Sequence, residues 1–180
     1  MTNAINDSEL WERSAAFHGH ICPGLTIGYK AALYARDLLG LQFSEDEDVV
    51  CVTENDACSV DAISIILGCS VGKGNLLFRL RGKQAFSFFC RKSGEKIRLV
   101  LKDIPIEGES RDERQKIMFN MPCEQLFEIK EPDFSLPEEA RIFNSVTCEI
   151  CGEKTAENHI RLQEDKRLCL DCYSPYSRFM

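Results

Sequence analysis

Phe17-His18-Gly19-His20-Ile21-Cys22-Pro23-Gly24 holds two of the chain's three histidines and one of its ten cysteines. The segment runs straight into the clearest helix signal in the sequence. Pro23 suits a first helical turn and Gly40 a stop, so residues 23–39 are expected to be helical. Leu25, Gly28, Ala32, Ala35 and Leu39 fall on one stripe, small enough for close packing against another element. Cys22 is thereby expected at or just before a helix N-terminus, where the helix dipole favours a thiolate. His18 and His20, alternating about Gly19, are expected to leave the preceding helical pattern and share one extended face with Cys22. Imidazole and thiolate at that spacing suit a soft or borderline metal with an open position, or a thiol nucleophile beside a base.

Working outward, residues 8–16 are expected to form a first helix capped by Ser8. Val49-Val50-Cys51-Val52-Thr53 is β-branched and reads as a strand. A polar turn follows, then a helix over residues 60–67 with Ser59 as cap and Cys58 just ahead of it. Cys58 thus repeats the placement of Cys22, and Asp61 falls in the first turn. Gly68-Cys69-Ser70-Val71-Gly72-Lys73-Gly74-Asn75 is glycine-rich but fails as a phosphate cradle in spacing and in order, since it follows a helix. Lys73 is either a counter-charge for an anionic ligand or a solvated loop lysine. Residues 76–80, 85–91 and 97–102 read as three antiparallel strands. Residues 110–121 read as a charged amphipathic helix, and 123–130 as mixed helical turn and strand. Cys51, Cys69 and Cys90 lie in apolar stretches and read as packing residues.

The helices and strands are mixed rather than strictly alternating, which predicts an α+β class: helices packed on an antiparallel sheet. Residues 1–130 are assigned to this core and 131–147, with Pro132 and Pro137, to a linker. Residues 148–180 form a small zinc-ribbon or treble-clef module. There Cys148-x-x-Cys151 and Cys169-x-x-Cys172 are separated by residues 152–168, a spacing that gathers four thiolates into a tetrahedral structural zinc site. A filled coordination sphere leaves no open position for catalysis. His159 lies between the pairs and reads as an exposed hairpin residue.

The formal net charge of −7 argues against a general nucleic-acid binder, which needs clustered Lys and Arg. The N-terminus lacks the basic flank and apolar run of a signal peptide, and no apolar run is long enough to span a bilayer. The expected setting is cytoplasmic, with reduced thiols.

The blocks 17–25, 56–62 and 68–76 together resemble the FmdE family, named for a component of formylmethanofuran dehydrogenase, over residues 10–130. The module at 148–172 is similar to the treble-clef zinc finger appended in many members. The resemblance implies an α+β core, a homodimer, and a cleft where His, Cys and Asp side chains of the first two blocks gather, often with a bound metal. It implies association with a molybdenum or tungsten redox enzyme, and it does not point to a known reaction. Three readings follow. The first is a metal-binding accessory protein with a second transition metal on His18, His20, Cys22 and Cys58, and with Asp61 and Lys73 beside an unidentified small ligand. The second is an enzyme using Cys22 as nucleophile with His18 or His20 as base. The third is a zinc-finger adaptor for a protein partner.

Overall fold

The computed structural model describes residues 6–105 and 110–178. The first five residues of the expected core and the last two of the expected finger lie outside them. Two compact units divide the chain, Met1–Ala140 and Arg141–Met180. The division falls inside the segment expected to be a linker, and the first part of that segment belongs to the larger unit. Asp133 pairs with Arg79 at 2.7 Å, Phe134 packs on Phe89, and Arg91 donates to the Pro137 carbonyl at 2.9 Å.

In the larger unit, helices α1 (Asp7–His18), α2 (Pro23–Leu39), α3 (Ser59–Leu67), α4 (Arg111–Asn120) and α5 (Cys123–Leu126) accompany strands β1 (Val49–Thr53), β2 (Leu76–Phe78), β3 (Ala85–Cys90), β4 (Lys96–Leu101) and β5 (Phe127–Lys130). The bounds of α2 and β1 are those read from the sequence. The strands form one sheet in the order β2-β1-β3-β4-β5. The expected run of three antiparallel strands holds for β3 and β4 but not for β2, which pairs parallel to β1. The reason is the connection. The chain leaves β1 through α3 before returning as β2, and such a crossover delivers a parallel neighbour.

The sheet's two faces differ. Val49, Cys51, Phe86, Phe88 and Leu99 point into the main core with the helices, while Val50, Val52 and Phe89 form a smaller cluster on the other face. A one-residue slip of β3 would swap Phe86 and Phe88 with Ser87, and each buried aromatic is worth about 1.5–3 kcal/mol, so the register is firmly set.

On the helix face, α2 lies along α3. A Cβ at Gly28 would run into the Ser59 carbonyl oxygen, so the two backbones touch at this point. The small-residue stripe of α2 exists for that contact. Trp11, Tyr29 and Phe119 join α1, α2 and α4 through ring contacts of 4.8–5.6 Å. Two expected helix starts move. Asn6 rather than Ser8 caps α1, accepting from the Glu9 N–H at 2.9 Å. Ser59 is the first residue of α3, and its hydroxyl donates to Asn55 Oδ1 at 3.1 Å instead of capping. Ser110 and Glu113 close a capping box on α4.

The smaller unit consists of two hairpins, β6 (Ser145–Thr147) with β7 (Lys154–Ala156) and β8 (Arg161–Gln163) with β9 (Lys166–Leu168), separated by a short 3₁₀ turn. The turn between β8 and β9 places Glu164 and Asp165 at φ 51° and 63°, the pattern of a type I′ hairpin loop. This is the zinc-ribbon form of the expectation.

Candidate metal centres

His18 is the last residue of α1, not the first residue outside it as expected. The helical period carries on through residues 16–18 and stops only at Gly19, whose φ of 85° is the left-handed conformation that glycine adopts freely. That turn, rather than an extended segment, brings the two rings together, with centroids 4.4 Å apart. Cys22 is the N-cap of α2, where its Sγ accepts the Leu25 N–H at 3.3 Å. Cys58 occupies the N-cap position of α3 and makes no capping bond, which leaves its thiol free to face the same space. Asn55 fixes the turn before it, accepting from the Ala57 N–H at 3.1 Å.

The packing of α2 on α3 then brings the segments together. One donor atom from each of His18, His20, Cys22 and Cys58 lies within 4.8 Å of the others. His18 Nε2 is 3.8 Å from Cys22 Sγ, against about 3.6 Å for two such donors on one tetrahedral zinc-sized ion. His18 Nδ1–H donates to Asp61 Oδ2 at 2.7 Å, which leaves Nε2 with its lone pair toward the thiols. A carboxylate behind a ligand imidazole is the usual device for setting ring orientation. The donor set therefore fits a soft or borderline transition metal, with two nitrogens and two sulfurs.

Gly24, to which the sequence alone assigns no role, sits between the thiols. A Cβ there would be 3.1 Å from Cys58 Cβ and under 4 Å from both sulfurs. Its position in the first turn of a helix that starts at a thiol was the available signal. Burial, with the Cys22 thiol beside it, pushes the Cys58 thiol up. Cys22 is 3% exposed, whereas His20 is open to solvent. Phe17 and Ile21 flank the histidines at 62% and 53% exposure, an apolar rim around a polar centre.

Lys73 is not part of this arrangement. It lies in the loop beyond the C-terminal end of α3, at the opposite end of that helix from Cys58. Its ammonium donates to the Ser44 carbonyl at 2.6 Å and lies over the Phe43 ring. Asn75 from the same loop donates to the Val49 carbonyl at 2.9 Å and the Gly68 carbonyl at 3.3 Å. The glycine-rich block therefore ties the connector before β1 to the crossover. Cys51 and Cys69 are wholly buried, and burial pushes Cys69 up to about 12, in keeping with packing roles.

In the smaller unit the four cysteines also bring their sulfurs within 4.8 Å of one another. Cys151 Sγ and Cys169 Sγ are 3.8 Å apart, the edge expected for a tetrahedron with Zn–S bonds of about 2.3 Å. The Cys169 N–H donates to Cys148 Sγ at 3.4 Å, and the Gly152 N–H closes the first knuckle on the Cys148 carbonyl at 3.0 Å. The set fits structural zinc. His159 is exposed and takes no part, its ring bonding only Asn158 among the described residues.

Comparisons with known proteins agree with this division. The family model described as "FmdE, Molybdenum formylmethanofuran dehydrogenase operon" matches residues 17–132. A second, "Prokaryotic dksA/traR C4-type zinc finger", matches residues 141–178. A protein of Archaeoglobus fulgidus described as a "Probable S-adenosyl-L-methionine-binding protein" is 26% identical over 91% of this chain and 52% of its own length. The chain thus spans about half the length of the curated relative it matches. The crystal structure of a tungsten formylmethanofuran dehydrogenase FmdE-like protein from Syntrophus aciditrophicus shares the fold, with a TM-score of 0.66 at 24% identity over 98% of this chain and all of the other. Among the described residues, no helix is long and apolar enough to cross a membrane.

Proposed function

The chain belongs to the FmdE family, and on that premise we propose that it is a metal-binding accessory protein with two separate metal centres of different purpose. The C-terminal four-cysteine set holds structural zinc. The cleft at the starts of α2 and α3 holds a second transition metal on His18, His20, Cys22 and Cys58, with Asp61 orienting His18. One observation carries this reading: four donors from two separate segments, residues 18–22 and Cys58, converge within 4.8 Å, and one of them is backed by a carboxylate. Function at a redox enzyme, as a homodimer whose exposed Phe17 and Ile21 rim meets a partner, belongs to the same proposal.

The reading of Cys22 as a nucleophile is less well supported. An attacking thiol needs access, and Cys22 is buried, already accepting an N–H, and confronted by a second thiol. Such a setting suits a ligand better than a nucleophile. Metal analysis of the Cys148→Ser/Cys172→Ser variant tests the proposal. We expect one transition-metal equivalent to remain per chain after loading. A variant that retains no metal under any loading condition rules out the cleft centre.

A further inference from the structure

On the sheet face turned away from the helices, a cavity of about 320 Å³ is lined by five cationic side chains, Arg79, Arg81, Lys83, Arg98 and Lys130, and three carboxylates. In a chain of net charge −7 this local excess of positive charge stands apart. We propose that this cavity is a binding site for a small phosphate-bearing anion, separate from either metal centre.

The cavity is built rather than incidental. Arg98 and Glu54, with side chains 14% and 5% exposed, pair at 2.6 Å through Nε of the arginine. Among the described residues the terminal nitrogens of Arg98 have no protein acceptor. Arg79 is held from two sides, by Asp133 at 2.7 Å and by the Phe134 ring, whose centroid is 4.7 Å from its guanidinium carbon. The loop carrying Arg81 and Lys83 is fastened to the end of β1. The Arg81 and Gly82 N–H groups both donate to the Glu54 carbonyl, and Asn55 Nδ2 donates to the Lys83 carbonyl at 2.9 Å.

Within this frame several charges lack a counter-ion. Among the described residues the Arg81 guanidinium bonds only the neighbouring Leu80 carbonyl, and the Lys83 ammonium has no partner. Among the described residues Lys130 has only the exposed Glu128 on its own strand, and Glu131 is engaged by Lys96.

The chemistry of the lining selects the class of ligand. Guanidinium forks match the oxygens of a phosphate group, and clustered arginines with lysines suit a dianion or trianion better than a single carboxylate. No aromatic or aliphatic residue lines the cavity, so a nucleobase or acyl chain would have nothing to pack on. The volume is at the low end of small-molecule sites, about 300–1,000 Å³. Phosphate, pyrophosphate or a small polar phosphate ester fits these limits.

The test is calorimetric titration of the full-length, zinc-loaded protein with pyrophosphate, inorganic phosphate and citrate, in buffered salt that screens non-specific attraction. We expect saturable binding of one pyrophosphate per chain, at least tenfold tighter than citrate. Arg81→Ala/Lys83→Ala, which removes two side chains outside any ion pair, is expected to weaken it tenfold or more with an unchanged melting temperature and metal content. Lys92→Ala, on another part of the surface, is expected to leave it unchanged. No saturable binding, equal binding by the double variant, or citrate binding as tightly as pyrophosphate would overturn the proposal. The metal content is read separately, so none of these outcomes bears on the metal centres.

Discussion

The cleft and the C-terminal finger each gather four donors, but the order of cause and effect is opposite in the two. In the cleft, His18, Cys22 and Cys58 sit at helix ends whose positions are set by a large apolar core and by backbone contact between α2 and α3. The fold makes the site. In the finger, the buried apolar residues besides the ligands Cys148 and Cys169 come down to Leu168. A core of that size cannot hold a domain, so there the metal makes the fold.

The sharpest way to break this contrast is to remove each metal and follow the backbone. For Cys148→Ser/Cys172→Ser we expect loss of amide hydrogen-exchange protection across residues 145–168 with the larger unit unaffected. Structural zinc typically contributes about 10–16 kcal/mol of coupled folding. For His18→Ala/Cys58→Ser the reverse is expected: the cleft metal disappears from elemental analysis, while exchange protection of α2, α3 and β1 stays near wild type. Collapse of the larger unit in that variant would show that the cleft metal also makes its fold.

Two smaller changes sharpen the comparison. Gly28→Ala forces a methyl group into the Ser59 carbonyl, and overpacking of this kind costs about 1–3 kcal/mol, more where backbone must move. Thermal denaturation should show a lower melting temperature for the larger unit and no change in zinc affinity of the finger. Asp61→Asn keeps the shape but weakens the carboxylate behind His18. Loss of such an outer partner lowers metal affinity about 10–100-fold, measurable by chelator competition, with melting of the metal-free protein unaltered.

The smallest expected effect is one of pH, in the finger. The backbone N–H groups of Cys169, Cys151 and Ile150 hold the Cys148 thiol down at about 6, while the Cys169 thiol beside it helps push Cys172 up to about 12. Above pH 6 zinc meets Cys148 already as thiolate. Below pH 6 it must displace that proton as well as those on Cys151 and Cys172, whose thiols are both pushed up. The logarithm of zinc affinity should therefore fall with decreasing pH everywhere, and more steeply by about one proton below pH 6. A constant slope across pH 6 would contradict this.

The sequence made local features legible and left long-range ones hidden. Pro23, Gly40 and the β-branched run at 49–53 bounded α2 and β1 correctly, because caps and propensities act within a few residues. The same logic identified Cys22 and Cys58 as helix-start thiols. It misjudged how His18 and His20 meet, because α1 continues to the glycine and the rings converge around a turn. It could not place β2, since the order of strands depends on where a crossover returns. Lys73 was a plausible ligand in sequence and is a loop brace in the fold. The cationic cavity was hidden for the same reason: Arg79, Arg81, Arg98 and Lys130 fall in or between separate expected elements, and only the ladder aligns them.

Gly19 has a consequence for traffic through the cleft. It separates a histidine clamped by Asp61 at the end of α1 from one that is open to solvent. Three donors thus sit at helix ends, and the fourth, His20, on the short link between α1 and α2. For the proposed cleft metal, His20 is the donor expected to detach first, being the one open to solvent. Substituting His20 is therefore expected to shorten the residence time of that metal while the three helix-end donors and the fold stay as they are.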